Sequence, residues 1–225
     1  MNSFTEENYL KAIYNLLESG DRKISTTSIS KRLTTTPASV TDMLKKLSEK
    51  KLISYEKYKG VSLTASGKKV AIAIIRKHRL WELFLVEKLG FKWDEVHDMA
   101  EQLEHIQSEK LVEKLYNYLG HPRFDPHGDP IPDENGIFHP IETLPLSGIS
   151  KNSKVTLTGV LDHGTSFLRY LSKNELSIGQ KILVKDIQEF DKSMTLLIQG
   201  KNTSLHISHD VARNLLVLKD KNAKS

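Results

Sequence analysis

The sequence contains no cysteine. That absence excludes disulfides, iron–sulfur clusters, Cys-ligated zinc and thiol catalysis. It suits a reducing cytoplasm, the expected location of the chain. No apolar run approaches the roughly 20 residues that a membrane-spanning helix needs, so no membrane partner is expected. The opening Met1-Asn2-Ser3-Phe4-Thr5-Glu6-Glu7 is acidic and lacks an apolar h-region, so it does not read as a signal peptide. A Gly-rich phosphate loop, H-E-x-x-H and G-x-S-x-G are all missing. Ser147 and Ser166 have no evident triad partners. Neither an enzyme nor a small-molecule substrate is expected.

What is present is a globular composition, with 38% hydrophobic and 27% charged residues over 225 positions, enough for one or two domains. The net charge of +5 is unevenly placed. Residues 1–75 hold 13 Lys/Arg against 7 Asp/Glu, and residues 76–225 hold 20 against 21. A basic first third on a near-neutral remainder points to nucleic acid bound at one end.

Tyr9, Ile13, Leu16 and Leu17 recur at helical spacing over residues 5–18, with Thr5 at the start. Thr26 or Thr27 opens a short helix through Leu33. Thr36 as N-cap and Pro37 at the first helical position open another to about Lys50, which buries Val40, Met43, Leu44 and Leu47. Two short helices joined by a tight turn form a helix-turn-helix pattern. The Leu52–Leu63 stretch that follows reads as a basic hairpin, the wing of a winged helix, with Lys57 and Lys59 at its tip suited to phosphate. Thr36, Pro37, Ser39, Thr41, Asp42 and Lys45 are the expected DNA-facing residues of the second helix.

Further helices are expected from Thr64 to Leu89, from Asp94 to Ile106 and from Ser108 to Leu119. Leu103, Ile106, Leu111, Val112 and Leu115 offer a surface for dimerisation. Residues 120–132 are rich in Pro and Gly and read as a partly ordered linker, in which His121, His127 and His139 nearby read as turn residues. Short strands at Lys154–Val160, Gln180–Ile187, Met194–Gln199 and Ser204–Ile207 then suggest a small β barrel of SH3 size. The domain plan is a winged helix-turn-helix over 1–72, a helical metal-binding and dimerisation domain over 73–140, a linker over 141–150, an SH3-like domain over 151–217 and a disordered tail over 218–225. The fold class is thus mainly α, with a small all-β SH3-like barrel at the C-terminal end.

His97, Glu101, Glu104 and His105 share one helix face by their spacing, and His78 and Glu82 form an i, i+4 pair on the preceding helix. Imidazole with carboxylate is the ligand set of divalent manganese, iron, zinc or cobalt. Carboxylates gathered in one place need a neutralising cation. Two other readings are a metal-independent winged-helix DNA-binding protein whose His/Glu face only packs, and a metal-dependent hydrolase.

The stretches Tyr9-Leu10-Lys11-Ala12-Ile13-Tyr14, Arg76-Lys77-His78-Arg79-Leu80-Trp81-Glu82, Val96-His97-Asp98, Glu101-Gln102-Leu103-Glu104-His105 and Gly128-Asp129-Pro130-Ile131-Pro132 occur in this order. In these motifs the chain resembles the diphtheria-toxin-repressor/manganese-transport-regulator (DtxR/MntR) family, in its long form with an SH3-like (FeoA-like) domain. The resemblance implies a homodimeric repressor of metal-uptake genes that binds double-stranded operator DNA when loaded with Mn(II) or Fe(II), with one or two ions per subunit. It implies one site from Asn8, Glu101, Glu104 and His105. The other would use His78, Glu82 and His97, with a ligand from Asp162 or His163. Glu101, a hard oxygen donor, favours Mn(II) over Fe(II).

Overall fold

The computed structural model describes residues 2–20, 24–56, 60–201 and 204–220. They divide into two compact units. The first comprises residues up to Trp81, 100–121 and 131–138, and the second comprises 82–99, 122–130 and 139 onward.

In the first unit, helix α1 spans Phe4–Glu18, α2 Thr26–Arg32 and α3 Pro37–Glu49. A capping box starts α1: the Ser3 amide donates to Glu6 Oε2 at 2.9 Å and the Glu6 amide to Ser3 Oγ at 3.3 Å. Ser3, not Thr5, is therefore the cap, because its hydroxyl is the one in reach of the third helical amide. Ser25, not Thr26 or Thr27, does the same for α2. Thr36 caps α3 as expected, accepting from the Ser39 amide, with Pro37 next. Leu10 and Ile13 of α1, Ile29 of α2, and Val40, Leu44 and Leu47 of α3 are fully buried in one cluster. Strands β1 (Ile53–Glu56) and β2 (Gly60–Leu63) pair antiparallel, Ile53 opposite Leu63. The wing is thus present, while its tip with Lys57 and Lys59 lies outside the described residues.

Helix α4 runs over Ala65–Leu89, α5 over His97–Leu103 and α6 over Glu109–Tyr118, the last capped by Ser108. Because α5 ends at Leu103, Glu104 and His105 sit in the turn that follows and not on the helix face that their spacing suggests. No described helix is long and apolar enough to cross a membrane.

The second unit is built on a six-stranded antiparallel sheet. Its strands are β3 (Leu144–Pro145), β4 (Lys154–Val160), β5 (Lys181–Ile187), β6 (Met194–Ile198), β7 (Ser204–Ile207) and β8 (Leu215–Lys219). Their order is β3-β8-β4-β5-β6-β7. A short helix α7 (Thr165–Lys173) buries Leu168 and Leu171, and α8 (His209–Arg213) buries Ala212. The inward residues Val155, Leu157, Val184, Leu196, Leu215 and Val217 are fully buried. Two features differ from the sequence reading. The 141–150 stretch contributes β3 and a 3-10 turn, Leu146–Gly148, whose Leu146 is a core residue. Strand β8 takes in Leu218 and Lys219 from the stretch read as tail, because it is the central partner of β4.

Candidate metal centres

The first centre lies within the first unit. From α1, Glu7 points inward, and its Oε2 is 2.7 Å from His105 Nδ1. Gln107 donates to the other oxygen, Oε1, at 3.0 Å. Phe4 stacks on the His105 ring with centroids 4.6 Å apart and fixes its plane. Beside this pair, Glu104 is fully buried, with Oε2 2.6 Å from His78 Nδ1. Lys11, one turn after Glu7, donates to both Glu104 oxygens at 3.0 and 2.7 Å. Burial alone would raise the Glu104 carboxyl; the His78 imidazole and the Lys11 ammonium outweigh it and hold it below the ordinary carboxylate range. Lys77 is lowered by its own burial, which nearby Glu7 and Glu104 only partly offset.

Of the residues expected here, Glu104 and His105 are brought together. Glu101 is half exposed, 3.6 Å from Lys11 Nζ. Asn8 is exposed and lines a shallow recess with Thr5, Tyr9, Leu33, Thr35, Ser39 and Met43, a cavity of about 320 Å³. The α1 side chain that meets His105 is the neighbouring Glu7.

The second centre lies within the second unit. Glu82, on the last turns of α4, has Oε1 3.4 Å from His97 Nδ1 and Oε2 3.6 Å from His127 Nδ1. Glu82, Asp125 and His127 are all buried and offer ligand atoms within 4.8 Å of one another. His127 follows from the backbone of the Pro/Gly segment. The amides of His127 and Asp129 donate to Asp125 Oδ1 at 2.8 and 3.0 Å, closing a tight turn. The Val160 amide donates to the His127 carbonyl at 3.0 Å. Gly128 (φ +91°) passes so close to β4 that a Cβ there would lie 2.1 Å from the Thr158 carbonyl oxygen and 2.4 Å from Gly159 Cα. This segment is therefore a fitted turn, not a loose linker. It carries His127, read from sequence as a turn residue, into a buried carboxylate pair.

The His127 ring donates from Nε2 to the Trp93 carbonyl at 2.9 Å, which leaves Nδ1 toward Glu82, buried and beyond hydrogen-bond length from any described partner. A ring held at one nitrogen with the other facing carboxylates is the arrangement of a metal-ligating imidazole. Burial would lower this imidazole; Glu82, Asp125 and the Trp93 carbonyl push it up to about 9. His163 stacks on His127 at 5.0 Å, with Nε2 4.0 Å from Asp129 Oδ2. Asp162 is exposed and accepts from the Gly164 amide at 2.8 Å. Spacing did not single out Glu7, Asp125 or His127. The i, i+2 pair Asp125 and His127 lies in a turn, where no helical or strand period applies. The second centre offers imidazole and carboxylate donors, a set that fits Mn(II) or Fe(II), and His127 Nδ1, buried and without a hydrogen bond among the described residues, faces that set.

On α3, Thr36, Pro37, Ser39, Asp42 and Lys45 are exposed and Thr41 is half-buried, opposite the buried Val40, Leu44 and Leu47. Thr41 donates to the Pro37 carbonyl at 2.9 Å. Lys46 and Lys50 hold the buried Glu6 of α1 at 3.1 and 2.7 Å, which ties α3 to α1.

Three family models match consecutive stretches. They are the iron-dependent repressor N-terminal DNA-binding domain over residues 2–61, the iron-dependent repressor metal-binding and dimerisation domain over 64–133, and the FeoA domain over 144–219. The chain is 36% identical over 128 residues to the iron-dependent repressor IdeR of Mycobacterium leprae, covering 57% of this chain and 55% of that protein, so it spans about half of that relative. It is 38% identical over 117 residues to the HTH-type transcriptional regulator MntR of Oceanobacillus iheyensis, covering 50% of this chain and 78% of that one. Among solved structures, a manganese-dependent transcriptional repressor in complex with manganese superposes with a TM-score of 0.83 at 32% identity, over 95% of this chain and 99% of the other.

Proposed function

The chain belongs to the iron-dependent repressor family, and from that premise we propose that it is a metal-activated repressor of metal-uptake genes that binds operator DNA as a homodimer. Mn(II) is the preferred activator and Fe(II) the alternative. The observation that carries this reading is the meeting of Glu7 on α1 with His105 after α5, beside the buried Glu104. The donor groups there come from the DNA-binding helices at one end and from the metal-binding segment at the other.

We assign Glu7, His78, Glu101, Glu104 and His105 to the first centre, with the exposed Asn8, next to Glu7 on α1, as an outer oxygen donor. Glu82, His97, Asp125 and His127 form the second, with Asp162 and His163 as outer partners. A bound divalent ion supplies the charge that lets several carboxylates share one centre. The chain does the rest. Glu7 sits on α1, and α1 packs through Leu10 and Ile13 on the same core as α3. A fixed position for Glu7 therefore fixes the base-reading helix. The DNA-competent arrangement gains population only by the difference in metal affinity between it and the alternatives. Thr36, Pro37, Ser39, Thr41, Asp42 and Lys45 on α3 face the major groove, and Lys57 and Lys59 of the wing meet phosphate. In the dimer, two such helices enter grooves about 34 Å apart. Helix α6 leaves Leu111 at 41% and Tyr118 at 66% exposure, apolar area available to the second subunit.

Fluorescence anisotropy with promoter duplexes tests the function, in chelator and then with Mn(II), Fe(II) or Zn(II) added. DNA affinity should rise with Mn(II) and return to its starting level with chelator. Affinity indifferent to chelator would overturn the reading in favour of a metal-independent DNA-binding protein.

A further inference from the structure

The carboxylate of Glu104 already has a cation. Lys11 Nζ donates to both of its oxygens, stands 3.6 Å from Glu101 Oε1 and is 3.3 Å from His78 Nδ1. The Lys11 side chain is 13% exposed and that of Glu104 is wholly buried. Lys11 lies on α1 and Glu104 after α5, 93 residues away. One ammonium thus touches three of the groups assigned above to the first centre and joins the same two parts of the chain that those groups join.

We propose that Lys11 is a built-in counter-cation, a tethered competitor that a divalent ion must displace from Glu104 before it binds. This rests on the metal-binding reading above. A buried carboxylate without a partner is costly, so the pair with Lys11 stabilises the metal-free fold. Binding a divalent ion to Glu104 breaks that pair and leaves an ammonium near the new charge. Both effects oppose metal. Because the competitor is tethered, its local concentration does not change with solution conditions. The residue therefore sets the metal concentration at which the protein responds.

The test compares wild type with Lys11→Met, which keeps length without charge, Lys11→Gln, which keeps a donor without charge, and Lys11→Arg, which keeps the charge. Mn(II) affinity is read by competition with a fluorescent chelator, and thermal midpoints are read in EDTA. Lys11→Met and Lys11→Gln should bind Mn(II) about tenfold more tightly than wild type, equivalent to ~1.4 kcal/mol. Lys11→Arg should stay within about threefold. The two uncharged variants should melt several degrees lower in EDTA, and their gain in affinity should vanish in a Glu104→Gln background. If Lys11 only packs, or orients Glu101, the uncharged variants bind Mn(II) no more tightly than wild type, and the proposal is overturned while the metal reading stands. If wild type and all variants fail to bind Mn(II), both are overturned.

Discussion

Glu7 and His105, 98 residues apart in the chain, meet with Oε2 and Nδ1 at 2.7 Å. The pair connects the first helix to the turn after α5, and it makes His105 the residue whose loss should uncouple metal from DNA. In His105→Ala, Mn(II) affinity should fall by at least about tenfold, since even outer-shell partners of a metal site are worth that much. DNA affinity in Mn(II) should drop to the chelated level with the circular dichroism spectrum unchanged. An intact metal response in the mutant would remove His105 from the site. Glu7→Gln should show the same direction of change.

Glu6, next to Glu7, serves the fold. It is buried, and its carboxyl lies at about 2. Burial alone would raise it; Lys50, the Ser3 amide and Lys46 more than reverse that. The folded value is depressed, so the contribution is complete above the unfolded value of 4.5 and is lost as pH falls toward about 2. Glu6→Gln should cost about 2 kcal/mol at pH 7, a figure discounted because Lys46 and Lys50 are partly solvated. In urea denaturation the gap between mutant and wild type should close below pH 4.5.

Gly128 crosses β4 with no room for a side chain. Gly128→Ala places a methyl in contact with the Thr158 carbonyl and strains a positive φ. A loss of about 3 kcal/mol is expected, together with weaker Mn(II) binding at the Glu82, Asp125 and His127 centre, because the turn that carries His127 must move. Isothermal titration should show one class of sites weakened and the other unchanged.

Lys45 is exposed on α3 and pairs with neighbouring Asp42 at 3.5 Å. Lys45→Ala should weaken binding to all duplexes alike and lower the log–log salt slope by about one unit. The same is expected of Lys57→Ala and Lys59→Ala. A slope equal to that of wild type would place Lys45 off the phosphate backbone.

Glu101 is half exposed and contributes a hard oxygen near the first centre. Glu101→Cys substitutes a soft thiolate and should move the preference from Mn(II) toward Fe(II), Co(II) or Zn(II). Anaerobic DNA-binding titrations across these metals check it. An unaltered order of metals would mean that selectivity resides in other ligands.

Local chemistry along the chain determined the winged helix-turn-helix, the long α4, most of the strands, and which residue types face one another at helical spacing. Thr36 with Pro37 starts α3 by hydrogen bonds and a fixed φ that need nothing beyond the next few residues. His78 and Glu82 are one helical turn apart in any helix. What tertiary structure decided is which carboxylates those imidazoles meet. Periodicity does not distinguish Glu7 from Asn8, adjacent on α1; the packing of α1 turned Glu7 to His105 and left Asn8 at the surface. Asp125 and His127 lie in a turn with no period at all, and only the close passage of Gly128 over β4 brings them to Glu82. The pairing of β8 with β4 and the capture of Glu104 by Lys11 likewise depend on contacts across long stretches of chain. A sequence pattern reports what each segment can do alone, and a metal centre is assembled from segments that meet only when the core closes.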